Sequence, residues 1–123
     1  MNGPVSAEEA FRTLSRWRDE GALLRVRGDF SPIVFDLEGK LASAAAPLFS
    51  LNVEDRGTIN FLLPSNWNFV YSDGNAASQR DVIGKSSDNK HTYQFGKSLV
   101  AHSRNRENHH VLFMQILGKL LEG

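Results

Sequence analysis

Histidine and arginine side chains crowd one short stretch near the end of this 123-residue sequence. The stretch contains Arg104, Arg106, His109 and His110, and an apolar run follows it. The spacing of that run predicts a helix, whose free N–H groups and dipole favour negative charge at its start. We therefore predict an anion site at these four residues, suited to a phosphate, a carboxylate or a nucleic-acid backbone. A helix cap whose arginines face water is the alternative, because capping alone explains the local sequence.

Metal binding and catalysis have little support in the sequence. His109 and His110 are adjacent, so on a helix they would point about 100° apart and could not chelate one ion together. A set made of His102, Glu107 and His109 remains an alternative, although the zinc pattern of two histidines at i and i+4 around a glutamate is absent. The chain has no cysteine, which excludes disulfides, thiolate zinc sites and cysteine nucleophiles. With no nucleophile elbow and no glycine-rich phosphate loop, we expect no metal, no cofactor and, on balance, no enzyme activity.

Two further arginines share one face of a predicted strand. Arg25 and Arg27 lie two positions apart, and Trp17 or Trp67 would lie near them in some packings. Basic residues beside aromatic rings suit single-stranded nucleic acid, with charge for the phosphates and rings for the bases. The chain carries 14 basic and 14 acidic residues, and this balance argues against nucleic acid as the main partner.

The elements that would position these residues begin with an N-terminal helix. Ser6 and Glu9 form a capping box, and Gly21 ends the helix as a left-handed cap. Between these signals the apolar residues recur at helical spacing and form one stripe, made of Ala10, Phe11, Leu14 and Trp17. A strand is predicted to follow over residues 22–28.

Alternating residues over 33–63 predict a set of antiparallel strands. Most of the large apolar side chains in this stretch occupy odd-numbered positions, which face one side of a strand. We predict one long bent strand through Gly39, a small-residue turn at 42–47, and a hairpin that turns at 55–57. A two-residue hairpin at 38–39 is the alternative. The odd-numbered face is predicted to be the core, and the other face shows no converging chemistry.

The rest of the chain alternates between apolar and polar segments. A short strand is predicted over 67–71, and two more over 91–95 and 97–102. Between them lies a 19-residue polar stretch at 72–90, which is predicted to be a functional or a flexible loop. Asn105 is predicted to cap a final amphipathic helix, whose apolar residues recur at helical spacing over 112–121.

Three short segments in the first half of the chain are spaced as in a known family. They are Gly39-Lys40-Leu41, Leu48-Phe49-Ser50-Leu51 and Gly57-Thr58-Ile59. Over residues 7 to about 63 this pattern resembles the Sm-like proteins, which are strongly bent five-stranded barrels that assemble into rings and bind RNA. The family's base-contacting Asp and Asn would fall near Ala45 and Leu48, which cannot make those hydrogen bonds, and the arginine-glycine pair that follows a strand in the family's second half is not found here. The resemblance therefore implies a barrel without implying RNA binding.

The whole sequence predicts a single α+β domain over residues 1–123. Its parts are an N-terminal helix, a strongly bent antiparallel meander or small barrel, and a C-terminal amphipathic helix. The first residues lack the pattern of a signal peptide, and no uncharged run suits a membrane helix. We therefore predict a cytoplasmic protein with no membrane partner.

The leading functional hypothesis is a non-catalytic binding or assembly module that self-associates. A dimer is favoured because the apolar stripe of the last predicted helix is wide for one sheet face. One alternative is a small barrel that binds nucleic acid. The other is a small-molecule binder or enzyme with a site under the 72–90 loop that uses His91, His102 or Tyr93.

Overall fold

The computed structural model describes residues 3–30, 32–54, 56–73, 83–85, 92–103 and 110–122. These residues form one helix and nine strands. In chain order the elements are β1 (Gly3–Val5), α1 (Ala7–Asp19), β2 (Leu23–Phe30), β3 (Ile33–Ala45), β4 (Leu48–Val53), β5 (Gly57–Leu62), β6 (Asn68–Ser72), β7 (Ile83–Lys85), β8 (Thr92–His102) and β9 (Val111–Glu122). The strands form one antiparallel sheet in the order β1-β6-β8-β9-β2-β3-β4-β5, and β7 pairs with β8 beside this path.

Helix α1 forms where its capping signals predict it. The Glu9 N–H donates to Ser6 Oγ over 3.1 Å, and Gly21, just after the helix, has a φ of +65°. The serine satisfies a backbone donor that the first turn leaves free, and glycine adopts this φ without strain. The predicted apolar stripe is buried at Ala10, Phe11, Leu14 and Trp17. The prediction of an N-terminal helix is confirmed.

The meander predicted for β2 to β5 is also confirmed, including its long third strand. Strand β3 continues through Gly39, where a Cβ atom would clash with the carbonyl oxygen of Asn52. Only glycine therefore fits at this position, because the backbone of β4 leaves no room for a side chain. The predicted turn at 42–47 is wrong over its first part, because β3 stays paired with β4 as far as Ala45.

The core lies on the inner side of a curled sheet. Helix α1 packs against both β3 and β6, although three other strands separate these two in the sheet order. The sheet must therefore curl around the helix. The buried cluster includes most of the predicted odd-numbered face, namely Leu41, Phe49, Leu51, Val53, Phe61 and Leu63. Ile33, at the start of that face, is instead exposed.

The final amphipathic helix, predicted to begin at Asn105, is wrong over the described residues that carry its apolar stripe. Residues 111–122 form strand β9, which lies between β8 and β2 in the middle of the sheet. Strand β9 begins with four consecutive apolar residues, Val111 to Met114, and spacing alone cannot separate such a run from a buried helix. The predicted α+β class is therefore wrong as well, because the described residues form mostly an antiparallel sheet with one short helix. The wide helical stripe that favoured a dimer does not exist.

Strands β7 and β8 also change the predicted organisation. The predicted loop at 72–90 contains β7, and residues 74–82 and 86–90 lie outside the described part of the chain. The two strands predicted over 91–95 and 97–102 form the single strand β8. The pairing of β8 with β9 shifts in register between Thr92 and Ser98, so the strand passes Gly96 without ending there.

Candidate ligand site on the outer sheet face

The predicted anion site falls largely outside the described residues. Arg104, Arg106 and His109 belong to the part of the chain that is not described, and His110 is the member that is. From His110 the chain passes directly into β9, so the described part of the predicted helix is a strand. An anion site at these four residues stays a prediction.

His110 lies against aromatic rings at the border of the core. Its ring centroid is 5.3 Å from that of Phe30 and 6.3 Å from that of Trp67, and its Nδ1 atom is buried without a hydrogen-bond partner. The His110 N–H donates to Ser103 Oγ, and the Ser103 N–H donates to the His110 carbonyl oxygen. These contacts join the end of β8 to the start of β9. They give His110 a role in packing at this junction.

The two arginines of β2 lie on the outer face, away from the tryptophans. Arg25 and Arg27 alternate with residues of the core, so they point to the opposite side of the sheet. Trp17 is buried in the core, and Trp67 packs against Phe30 on the inner side. The arginines and the tryptophans therefore lie on opposite sides of the sheet and do not form the surface predicted to suit nucleic acid.

Arg25 forms a bidentate ion pair with Asp36 on the neighbouring strand β3. Its Nε lies 3.0 Å from Asp36 Oδ1, and its Nη2 lies 2.6 Å from Oδ2. The two side chains are only 17% and 29% exposed. The hydrogen bonds to Asp36 raise the pKa of Arg25 above its ordinary value, although partial burial opposes this shift. The pair satisfies both charges and therefore stabilises the sheet.

Arg27 is held much more loosely than Arg25. Its Nε lies 3.7 Å from Asp36 Oδ2, which is beyond hydrogen-bonding distance, and Arg25 already bonds to that oxygen. The Arg27 side chain is 60% exposed. Its guanidinium therefore keeps N–H donors for water or for a ligand.

A pocket of about 300 Å³ opens beside Arg27. It is lined by residues of β2, β3 and β9, namely Arg27, Gly28, Asp29, Val34, Phe35, Val111 and Phe113. The strand register explains this assembly, because Arg27 lies opposite Phe113, and Asp29 lies between Val34 and Val111. The outer face, which showed no converging chemistry in the sequence, thus combines apolar side chains with a loosely held cation.

This arrangement suits an apolar group that carries an anion. Val34, Val111 and Phe113 supply apolar surface, and the Arg27 guanidinium can donate charge-assisted hydrogen bonds. Val111 and Phe113 were not found as site residues from the sequence, because the predicted final helix would not align them with Arg27. The four consecutive apolar residues that begin at Val111 suit a buried strand as well as a helix, so this signal did not decide between the two.

No protein-family model matches the chain, and neither a curated protein nor a solved structure matches it. The resemblance to Sm-like proteins therefore stays a prediction. Among the described residues, no three His, Cys, Asp or Glu side chains are grouped as metal ligands would be. The described part of the chain also has no helix long and apolar enough to cross a membrane.

Proposed function

We propose that this protein is a non-catalytic binding module for a small apolar molecule that carries an anionic group. The ligand would lie on the outer sheet face beside Arg27. One observation carries the proposal, namely a pocket in which an exposed guanidinium lies opposite Phe113 with valines next to it. Pockets of this composition use the apolar side chains for affinity and the few polar groups for orientation.

The charges around the pocket favour an anionic group over a cationic one. Both carboxylate oxygens of Asp36 accept hydrogen bonds from Arg25, and Asp29 already interacts with another group. Arg27 is thus the charged group whose hydrogen-bonding capacity is least used. A carboxylate or sulfonate would fit its planar fork of donors.

Binding is better supported than a chemical step. The titratable side chains that line the pocket are Arg27 and Asp29. An arginine stays protonated in proteins, so Arg27 can orient an anion but cannot act as a general acid or base. We also propose a cytoplasmic location, because a chain without cysteine fits a reducing compartment.

A pair of fluorescent probes tests the proposal. Anilinonaphthalene sulfonate carries an anion on an aromatic body, and N-phenylnaphthylamine has a similar body without the charge. We expect the sulfonate to bind, and we expect Arg27→Gln to weaken its binding about tenfold, the loss of one charge-assisted contact. Binding of the uncharged probe should change by less than about twofold, because it makes no such contact.

The matched control for this titration is Arg12→Gln. Arg12 is an arginine of similar exposure, 62% against 60%, but it lies on α1 and pairs with Glu8. Its substitution should leave both probes unaffected. Equal binding of the sulfonate to wild type and to Arg27→Gln would contradict the proposed site.

Nucleic-acid binding is the second candidate, and one observation favours it. Phe113 lies opposite Arg27 on an outer sheet face, which places a ring beside a cation as single-stranded nucleic acid requires. Fluorescence anisotropy with short RNA and DNA at two salt concentrations tests this candidate. Phosphate contacts make affinity fall as salt rises, so an absence of salt-sensitive binding would exclude it.

A further inference from the structure

Strand β5 forms one edge of the sheet. It pairs with β4 on one side, and no other described strand pairs with it. An edge strand presents unpaired N–H and C=O groups, so it can act as a template for another strand. The residues Thr58, Asn60 and Leu62 are all exposed along β5.

One hydrogen bond shows which backbone groups face the free edge. The Leu63 N–H donates to the Pro47 carbonyl oxygen over 2.8 Å, so Leu63 directs its backbone groups towards the β4 side. Backbone direction alternates from residue to residue along an antiparallel strand. Thr58, Asn60 and Leu62 therefore direct their N–H and C=O groups away from β4.

The two edges of the sheet differ in how they are protected. Strand β1, at the opposite edge, has three residues and contains Pro4, which cannot donate to a further strand. Strand β5 has six residues and contains neither a charge nor a proline. Charges, prolines and short length are the usual means by which proteins block pairing at an edge. The β5 edge lacks all of these.

We propose that two copies of this chain pair through β5, antiparallel, around a two-fold axis at Asn60. In this register Asn60 faces Asn60 of the second copy, and Thr58 faces Leu62 of the second copy. The same surface then serves both partners, as a two-fold interface requires. This pairing does not depend on the proposed ligand pocket at Arg27.

The side chains of the edge fit a second copy of the same strand. Two uncharged strands can approach each other without repulsion. Ser50 Oγ donates to Asn60 Oδ1 over 2.6 Å, which leaves the amide N–H groups of Asn60 for the facing Asn60 of the second copy. Leu48 and Leu62 are a cross-strand pair and both are exposed, so they add apolar surface next to the edge.

Sedimentation velocity from about 1 µM to about 1 mM tests this pairing, since an interface of one strand pair is small and its dissociation constant should be about 10–100 µM. Wild type should shift from monomer to dimer over this range. Asn60→Lys and Asn60→Asp should each stay monomeric, because like charges would meet at the two-fold axis. An equal mixture of these two variants should dimerise, because lysine then faces aspartate, and this recovery would also show that both variants fold.

The control for these variants is Ser50→Ala. It removes the same Ser50–Asn60 hydrogen bond without charging the edge, so it should dimerise like wild type within about threefold. A wild type that stays monomeric throughout would overturn the proposal and leave the edge to another occupant, such as an extended peptide. Dimerisation of Asn60→Lys would overturn it too, as would a mixture that stays monomeric. Arg27→Gln should dimerise normally, so failure of the ligand site and failure of this pairing can be told apart.

Discussion

The two faces of strand β2 have opposite characters, although their residues alternate along one short segment. On the inner face, Leu24 and Val26 are fully buried, and Val26 pairs with Met114 in the core. On the outer face, Arg25 and Arg27 meet Asp36 and the border of a pocket. Alternate residues of one strand therefore contribute to the core on one face and to a candidate ligand site on the other.

A second contrast appears within the outer face itself. Arg25 uses its donors on Asp36, whereas Arg27 lies too far from the same carboxylate to bond to it. A guanidinium whose donors form hydrogen bonds within the sheet stabilises the fold, and one with unused donors can bind a ligand. Substitutions on the two faces should therefore separate loss of stability from loss of binding.

The largest difference in lost stability is expected between substitutions of the neighbours Leu112 and Phe113 on β9. Leu112 is fully buried on the inner side, so Leu112→Ala should lower the free energy of unfolding by about 4 kcal/mol through loss of apolar contact and creation of a cavity. Phe113 makes cross-strand contacts on the outer side, so Phe113→Ala should cost only about 1 kcal/mol. Urea denaturation measures both values. Equal losses would show that the two faces do not differ as described.

The next largest loss of stability is expected at Gly39, where the backbone of β3 lies close to that of β4. In Gly39→Ala the new Cβ would overlap the carbonyl oxygen of Asn52, which belongs to the backbone and cannot rotate away, so we expect a loss of about 3 kcal/mol. Gly96→Ala is the control, because its Cβ would lie 3.8 Å from the nearest atoms of Ile116. That substitution should change stability by less than about 1 kcal/mol. A Gly39→Ala protein as stable as Gly96→Ala would contradict the close approach of the two strands.

A smaller loss of unfolding free energy is expected when the ion pair on the outer face is removed. Arg25→Gln leaves the half-buried Asp36 carboxylate without its bidentate partner, which should cost about 2 kcal/mol. Arg18→Gln removes an ion pair with Asp19 that is much more exposed, so it should cost less than about 0.5 kcal/mol. Thermal or urea unfolding of the two variants tests the distinction. Equal losses of unfolding free energy in the two variants would show that the Arg25–Asp36 pair stabilises the fold no more than an exposed ion pair does.

The smallest effect concerns the pH dependence of stability. Burial, followed by a hydrogen bond with Asp73, raises the pKa of Tyr71 to about 12 from an ordinary value of 10.0. A raised pKa means that folding favours the neutral phenol, so this contribution is fully present below pH 10.0 and is lost as the pH rises to about 12. Tyr71→Phe should therefore lose less stability than wild type over that interval. Identical alkaline profiles for the two proteins would exclude this role.

Local signals were enough to predict the parts of the fold whose residues interact with near neighbours. Helix α1 is specified within about four helical turns by its own residues, namely the cap at Ser6, the stop at Gly21 and the apolar stripe between them. The alternation over 33–63 predicts the meander because its strands follow one another directly. Strand β9 could not be recognised in the same way, since its partners β2 and β8 decide its conformation and β2 lies far away in the chain.

The candidate site was predicted in the same partial way. Arg25 and Arg27 stand out in the sequence as a pair on one strand face, but nothing local shows that only Arg25 forms hydrogen bonds with Asp36. Phe113 comes opposite Arg27 through the pairing of β2 with β9, and that register is a property of the whole sheet. Three of the four residues of the predicted anion site, by contrast, lie outside the described part of the chain.

The most direct test of the ligand site is a methyl NMR titration with decanoate, an apolar chain that ends in a carboxylate. Val34 and Val111 line the pocket, whereas Val26 is fully buried on the inner face of the same sheet. We predict that decanoate shifts the methyl resonances of Val34 and Val111 in wild type and that Arg27→Gln weakens these shifts. Resonances of Val26 should not move. Shifts at Val26 without shifts at Val34 and Val111, or no shifts at all, would contradict a ligand site on the outer face.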